Sequence, residues 1–185
     1  MNSMAPDVVG ANEQTEVEID VLRWIRLARL VLKLERAAKD ETLGLIFIDE
    51  TTMADLNVRY LDGDGPTDVL AFPLGDEALT SGRFPDEGGR GPGSPREIPE
   101  IPAILGDVLV CPTVAQKQAD ERGRSLDDEI ALLVVHGTLH LLGYDHGDPD
   151  ESRRMQTREQ ELLEKFAATE RKLSEDQSSS VEATP

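Results

Sequence analysis

All three histidines of this 185-residue chain lie within one stretch of eleven residues. The stretch from Ser125 to Leu142 contains no proline and predicts a helix, on which His136 and His140, four residues apart, share one face. Their imidazole nitrogens can therefore meet a single metal ion at about 2.0–2.1 Å each. Gly143 favours a left-handed C-cap, after which His146 can return as a third ligand. The pattern predicts a metal site, with a hydrogen-bonded histidine cluster as the alternative.

Three imidazole ligands suggest a particular chemistry. Because neutral imidazoles add no negative charge, the ion keeps its full double-positive charge. No fourth protein ligand is evident in the sequence, so a water molecule can take the open position, with its pKa lowered towards about 7. This combination predicts a hydrolytic enzyme. Zinc is the first choice for imidazole ligands, and ligand type leaves nickel, copper and iron open.

The histidine spacing, with Gly143 before the third histidine, also matches the metzincin peptidase signature H-E-x-x-H-x-x-G-x-x-H. Those enzymes need glutamate directly after the first histidine to take a proton, and this chain has Gly137 there. Glycine has no side chain that can act as a base. A peptidase is therefore the less favoured hydrolase.

The elements that must position the histidines are short and alternate in type. Strand patterning occurs at residues 16–20, 43–49, 68–74 and 104–111, and helical patterning occurs at 21–38, 53–60, 112–119, 125–142 and 151–173. Residues 1–14 are predicted to be a disordered leader and residues 174–185 a disordered tail. Residues 75–102, rich in Gly, Pro, Asp and Glu, are predicted to be a flexible insertion in one domain over 15–173. A domain boundary there is the alternative, but too little core-forming sequence follows it.

The formal net charge is −18, from 19 basic and 37 acidic side chains, which argues against nonspecific binding to nucleic acid. Basic residues nevertheless form a stripe on the first predicted helix, which we call the basic stripe: Arg23, Arg26, Arg29, Lys33 and Arg36. It is either an ordinary solvated face or a phosphate-contacting surface.

Composition also bears on location. The single Cys111 permits no intramolecular disulfide, and residues 1–20 lack the apolar core of a secretory signal. No apolar run approaches the roughly 18 residues that a membrane helix needs. These observations predict a soluble, cytoplasmic protein with no membrane partner.

Three blocks of the sequence resemble one known family. HGTLHLLGYDH (136–146) resembles the signature of the YbeY family of bacterial metal-dependent endoribonucleases. LNVRYLDGDGPTDVLAFP (56–73) and LGDVLVCPTVAQKQA (105–119) resemble its second and third blocks, in the same order. The likeness covers about residues 16–170. It implies a single α+β domain, with a small mixed four-stranded sheet flanked by about five helices.

The resemblance also implies a function and its site. It implies single-strand-specific RNA cleavage, with ribosomal RNA as substrate, in maturation of the small-subunit 3′ end and in ribosome quality control. It assigns His136, His140 and His146 as ligands of the one metal ion, for which zinc is the first choice by ligand type, and the ribosome or its proteins as partners. An alternative of another class is a ribosome-assembly factor with structural zinc. Three ligands favour the enzyme, because structural zinc sites normally have four.

This chain departs from the family pattern in its second block. Family members commonly have arginine directly after the tyrosine of that block, whereas Leu61 follows Tyr60 here. The nearest arginine is Arg59, which projects about 100° away from the following residue on a helix and is no simple substitute. Ala71 stands where serine is common, so a hydroxyl there is not essential to this protein.

The proton-transfer residue is left open by the sequence. Asp145, beside the third histidine, is one candidate, although we favour it as a hydrogen-bond acceptor that orients a histidine. Asp68 is a second candidate, with a turn-capping carboxylate as its alternative role. Four cations are candidates for phosphate contacts or are ordinary surface charges: Arg59, Lys117, Arg122 and Arg124.

Overall fold

The computed structural model describes residues 7–37, 41–61, 63–74, 103–145 and 147–181, apart from the side chains of 103 and 176–181. The predicted insertion at 75–102 and the predicted ligand His146 lie outside the described residues.

The described residues form four strands and five helices. The strands are β1 (Asp7–Asn12), β2 (Glu41–Phe47), β3 (Val69–Pro73) and β4 (Ala103–Val110). The helices are α1 (Val21–Leu34), α2 (Glu50–Leu61), α3 (Pro112–Arg122), α4 (Leu126–Leu141) and α5 (Pro149–Val181). The predicted α+β class, with a mixed four-stranded sheet and five helices in a single domain, is confirmed.

The strands form one sheet in the order β1-β2-β4-β3, in which only β3 runs antiparallel to its neighbour. Successive side chains of a strand point to opposite faces. On β3, Val69 and Ala71 accordingly join the main core with α4, whereas Leu70 and Phe72 join a smaller core with Met53 of α2. The edge strand β3 therefore separates α4 on one face of the sheet from α2 on the other.

Helix α4 lies at the centre of the main core. It contacts α1, α3, α5 and both strands of the β3–β4 pair. Its residues Ile130, Val134 and Leu139 have no exposed surface, and Trp24 and Leu27 of α1 pack into the same cluster. Because α4 is enclosed on most sides, its histidines are carried by one of the least mobile parts of the domain.

The predicted leader is wrong from residue 7 onward, because residues 7–12 form the edge strand β1. Only Val8 of this strand is fully buried, so the alternation that marks a strand is weak. Gly10 permits close packing on α1, since a Cβ there would lie 2.6 Å from Ile25 Cδ1. Residues 16–20 form no strand and include a bend at 16–17, where the Gln14 side-chain amide donates to the Val17 carbonyl at 2.8 Å.

The predicted tail is wrong as far as residue 181, because α5 continues to Val181. No glycine or proline interrupts residues 150–184, so nothing in the backbone ends the helix at 173. The strand predicted to end at Asp49 ends at Phe47 instead. Asp49 caps α2, since its Oδ1 accepts a hydrogen bond from the Thr52 amide at 2.8 Å.

Candidate active site

Helix α4 has the limits and caps that the sequence predicts. At its start, Ser125 Oγ accepts from the Asp128 amide at 3.1 Å, and the Ser125 hydroxyl donates to Asp128 Oδ2 at 2.6 Å. At its end, Gly143 adopts a left-handed φ of +86°, and its amide donates to the His140 carbonyl at 3.0 Å. The predicted helix, with two histidines on one face, is confirmed.

The two helix histidines present their Nε2 atoms to each other. These atoms are 3.1 Å apart, and the rings are nearly perpendicular, with centroids 4.5 Å apart. Two nitrogens that bind one tetrahedral ion at 2.0–2.1 Å are about 3.3 Å apart. The pair of His136 and His140 therefore fits two ligands of a single metal ion.

A carboxylate behind the pair fixes one imidazole. Glu159 on α5 is 8% exposed, and its Oε1 lies 2.7 Å from Nδ1 of His136. A carboxylate accepts hydrogen bonds, so the His136 proton belongs on Nδ1 and the Nε2 lone pair is left facing the cleft. This is the arrangement by which outer carboxylates orient ligand histidines in metal sites.

The sequence prediction missed Glu159, although the sequence contains a signal for it. The apolar face of α5 follows helical spacing through Met155, Leu162 and Phe166. Glu159 falls on that face, four residues after Met155 and three before Leu162. An acidic residue inside an apolar face needs a buried partner. Only the fold shows that this partner is His136.

Gly137 has a structural role that explains the missing glutamate of the peptidase signature. A Cβ at this position would lie 2.6 Å from Val108 Cγ1 and 3.3 Å from Val69 Cγ2. A Cβ on Gly137 would therefore point at the sheet, although the Gly137 backbone lines the cleft, and a side chain there would force α4 away from β4. A general base therefore cannot stand at residue 137 in this fold.

The histidine pair opens into a cleft of about 650 Å³ between α4 and the edge strand β3. One wall comes from the end of α2 and from β3, the other from α4 and the residues after it. The lining residues are Leu61, Val69, Leu70, Ala71, Pro73, His136, Gly137, His140, Gly143, Tyr144 and Asp145. The first five are apolar, so the wall formed by α2 and β3 is hydrophobic.

The chain after Gly143 is held in place by a hydrogen-bond network. The Tyr144 hydroxyl donates to Glu35 Oε2 at 2.7 Å, and Arg158 Nε donates to the other Glu35 oxygen at 2.6 Å. The hydrogen bond to Glu35, followed by burial, raises the pKa of Tyr144 above its ordinary value. Asp145, the next residue, lines the cleft. The network fixes the position of Tyr144 relative to α1 and α5.

The third predicted ligand is not placed. Within the described ranges no three His, Cys, Asp or Glu side chains converge in a way that would hold a metal ion. His146 lies outside those ranges, so its role as third ligand stays a prediction.

Three of the four cations that are candidates for phosphate contacts or ordinary surface charges lie beside carboxylates of the protein itself. Lys117 Nζ is 2.5 Å from Glu50 Oε1. Arg122 pairs with Glu129, whose side chain is fully buried, and Arg124 Nη1 lies 3.9 Å from the other Glu129 oxygen. These contacts favour a structural role for the three cations.

The remaining candidates differ from one another. Asp68 Oδ1 accepts from the Val69 amide at 2.8 Å and from the Thr67 hydroxyl at 3.1 Å, which favours its alternative role as a cap at the start of β3. Arg59 is exposed and makes no ion pair with any carboxylate of the described residues.

The basic stripe is partly neutralised within the fold. Arg23 forms ion pairs with Asp127 and Glu170, and Arg29 Nη2 lies 2.7 Å from Asp7 Oδ1. The contact with Arg29, followed by the Val8 amide, lowers the pKa of Asp7. These pairs leave less positive charge for phosphate than the sequence alone suggests.

An α+β domain with a carboxylate-backed histidine pair in an open cleft has the features of a hydrolase site. Comparison with known proteins identifies the particular family. The sequence model of endoribonuclease YbeY matches residues 10–167. The fold is also similar to the solution structure of TM1509 from Thermotoga maritima, with a TM-score of 0.56 at 23% identity over 89% of this chain and 92% of that one.

Relatives of high similarity carry the same name. Endoribonuclease YbeY of Thermobifida fusca is 47% identical, over 83% of this chain and 89% of the relative. Those of Acidothermus cellulolyticus and Mycolicibacterium smegmatis are 44% and 42% identical, over 87% and 86% of this chain and 92% and 83% of the relatives. The chain belongs to the endoribonuclease YbeY family.

Membership confirms the predicted family and the predicted enzyme class, a nuclease that acts on RNA. The peptidase alternative is not supported. The described helices include none long and apolar enough to cross a membrane. The metal, its ligands and the cytoplasmic location stay predictions.

Proposed function

We propose that this protein is a metal-dependent endoribonuclease that cleaves single-stranded RNA during ribosomal RNA processing in the cytoplasm. His136, His140 and His146 hold one divalent ion, with Zn²⁺ as first choice. The observation that carries the proposal is the 3.1 Å separation of two Nε2 atoms, one of them on a ring fixed by Glu159. The small-subunit 3′ end is the proposed substrate, and the ribosome or its proteins are the proposed partners.

The residues of the cleft have different proposed roles in the reaction. A bound divalent ion supplies a positive centre that polarises a phosphate oxygen and stabilises the charge of the transition state. Glu159 keeps the proton of His136 on Nδ1, so that Nε2 stays a ligand. Asp145 lines the cleft beside the third proposed ligand, where its carboxylate serves as an acceptor that orients a histidine.

The shape of the cleft supports cleavage of single strands. Its volume of about 650 Å³ is that of a small-ligand site and accommodates a nucleotide and its phosphate. A duplex holds its bases stacked and paired, whereas a single strand can turn one nucleotide outwards at no pairing cost. The phosphate of an unpaired strand therefore reaches the histidines more readily.

The proposal is tested with metal-loaded protein on a single-stranded RNA, a duplex of the same sequence and an unstructured peptide. Cleavage of the single strand alone, lost in His140→Ala with the helical content unchanged, is the expected result. Peptide cleavage would contradict the proposal. Full metal binding without RNA cleavage would favour the assembly factor with structural zinc.

A further inference from the structure

The last turn of α2 presents an unusual set of exposed apolar side chains. Val58, Tyr60 and Leu61 are 55%, 64% and 60% exposed. Singly exposed apolar residues are common, and Val58 projects about 160° away from Tyr60 on the helix, so it is one of these. Leu61 lines the cleft, and Tyr60 is its neighbour in the sequence. We call Tyr60 and Leu61, together with Phe72, the α2 platform. The active-site argument above uses only Leu61, as part of the cleft wall.

The central ring of the platform has a defined orientation. The Tyr60 and Phe72 rings meet edge to face, with centroids 5.3 Å apart and an angle of 73° between planes. Phe72 belongs to the core between α2 and the sheet, so it supports Tyr60 from a fixed position. An aromatic ring that is already oriented loses little conformational entropy when a flat ligand stacks on it.

The backbone that carries the platform is also held. The Asn57 side-chain amide donates to the Gly65 carbonyl at 2.8 Å, and the Gly63 amide donates to the Asn57 carbonyl at 3.2 Å. These contacts connect the last turn of α2 to the loop that leads into β3. Tyr60 and Leu61 are therefore positioned relative to β3 rather than carried on a loose helix end.

The platform is continuous with the histidine cleft. Leu61, next to Tyr60, lines the cleft, as do Ala71 and Pro73 on either side of Phe72. The surface therefore runs from the cleft around the edge strand β3 to the Tyr60 ring. Arg59 is exposed beside it and forms no ion pair with a described carboxylate, which suits a neighbouring phosphate.

We propose that Tyr60 stacks on a base of the RNA substrate, one that flanks the nucleotide in the cleft. The inference rests on the proposed function and extends it, since it names a substrate-binding residue that the histidine site does not include. Aromatic side chains bind unpaired bases in this way without strong sequence preference, because every base has a flat π-face. A paired base is already stacked in its helix, so the contact selects single strands.

The test uses the full chain with His140→Ala, which prevents cleavage, and a fluorescently labelled single-stranded RNA of about ten nucleotides. Tyr60→Ala is expected to weaken binding by about 5- to 150-fold, as base stacking on aromatic residues predicts. Tyr60→Phe, which keeps the ring and loses the hydroxyl, is expected to bind within about twofold of the parent. The matched control is Leu22→Ala, which removes a 67% exposed apolar residue from α1.

A second measurement identifies the base. Removing one base at a time from the RNA should reveal a position where the loss weakens binding to the parent and has no further effect on Tyr60→Ala. Equal affinities of Tyr60→Ala and Leu22→Ala would overturn the inference. So would a loss in Tyr60→Phe as large as in Tyr60→Ala, since the hydroxyl rather than the ring would then be responsible.

The two proposals fail in different ways. If the wild-type chain with metal cleaves no RNA, the proposed function fails. If the wild type cleaves single-stranded RNA and Tyr60→Ala binds and cleaves it equally well, only the stacking contact is refuted.

Discussion

At the scale of single residues, the site depends on a side-chain contact between two consecutive helices, α4 and α5. The spacing of His136 and His140 is local and could be predicted, because four residues on a helix return to the same face. The carboxylate of Glu159 comes from α5, 23 residues away, and reaches His136 only when the domain folds. The pairing of these groups therefore required the structure.

The role of Glu159 can be measured with Glu159→Gln. The amide keeps the size of the side chain and removes the negative charge that favours the Nδ1 proton of His136. Zinc affinity, measured by competition with a chelator, is expected to fall by about 10- to 100-fold.

The matched control is Glu164→Gln, which changes a carboxylate of the same helix whose hydrogen-bond partner among the described residues is the exposed Gln160. It should bind zinc as the wild type does. Equal zinc affinity of Glu159→Gln and the wild type would show that the carboxylate does not tune the site.

At the scale of elements, the fold packs α4 closely against the sheet at Gly137. Gly137 allows this approach, since any side chain would meet Val108. From the sequence, Gly137 shows only that the glutamate base of the peptidase signature is missing. Its positive role depends on the register of α4 on β4, which no local pattern specifies. Strand β1 was missed for a related reason, because its partner β2 lies about 35 residues further along the chain.

We expect Gly137→Ala to destabilise the domain by about 1–3 kcal/mol, the usual effect of an extra methyl group in a well-packed core. Alanine favours helix, so the loss would come from packing rather than from backbone preference. Urea denaturation followed by circular dichroism measures it.

The double variant Gly137→Ala/Val108→Ala provides the control. Val108→Ala alone leaves a cavity and is destabilising, yet the added methyl group at 137 should occupy part of that space. The combined effect should therefore be smaller than the sum of the two single effects. Strict additivity would contradict the proposed contact.

The cap of α2 makes a prediction about pH. The Thr52 amide and hydroxyl donate to Asp49 and lower its pKa below the ordinary 3.8. Folding therefore favours the ionised carboxylate, and its contribution is complete above about pH 4 and is lost as the pH falls through the lowered value.

Asp49→Asn keeps a capping acceptor and removes this titration. The free energy of unfolding of wild type and variant should differ less at pH 3 than at pH 6, measured by urea denaturation at each pH. A difference that is the same at both values would show that Asp49 does not titrate as the cap geometry predicts.

At the scale of the whole molecule, a strongly acidic protein acts on a polyanion. Part of its positive charge is not available to phosphate. Several arginines of the basic stripe and of α3 form ion pairs with carboxylates of the protein itself. Binding of RNA would then depend on the proposed metal ion and on the α2 platform more than on general positive charge. Composition predicts weak nonspecific affinity for nucleic acid. Only the fold shows which cations are paired with carboxylates of the protein.

The most direct test of the central claim is a metal titration of the cleavage rate. Metal-free protein, prepared with a chelator, is mixed with single-stranded RNA and increasing Zn²⁺, and the initial rate is measured. We expect no cleavage without metal and a rise that saturates at one ion per chain. Full activity of the metal-free protein, or saturation only at several ions per chain, would contradict a single ion held by the histidines of α4.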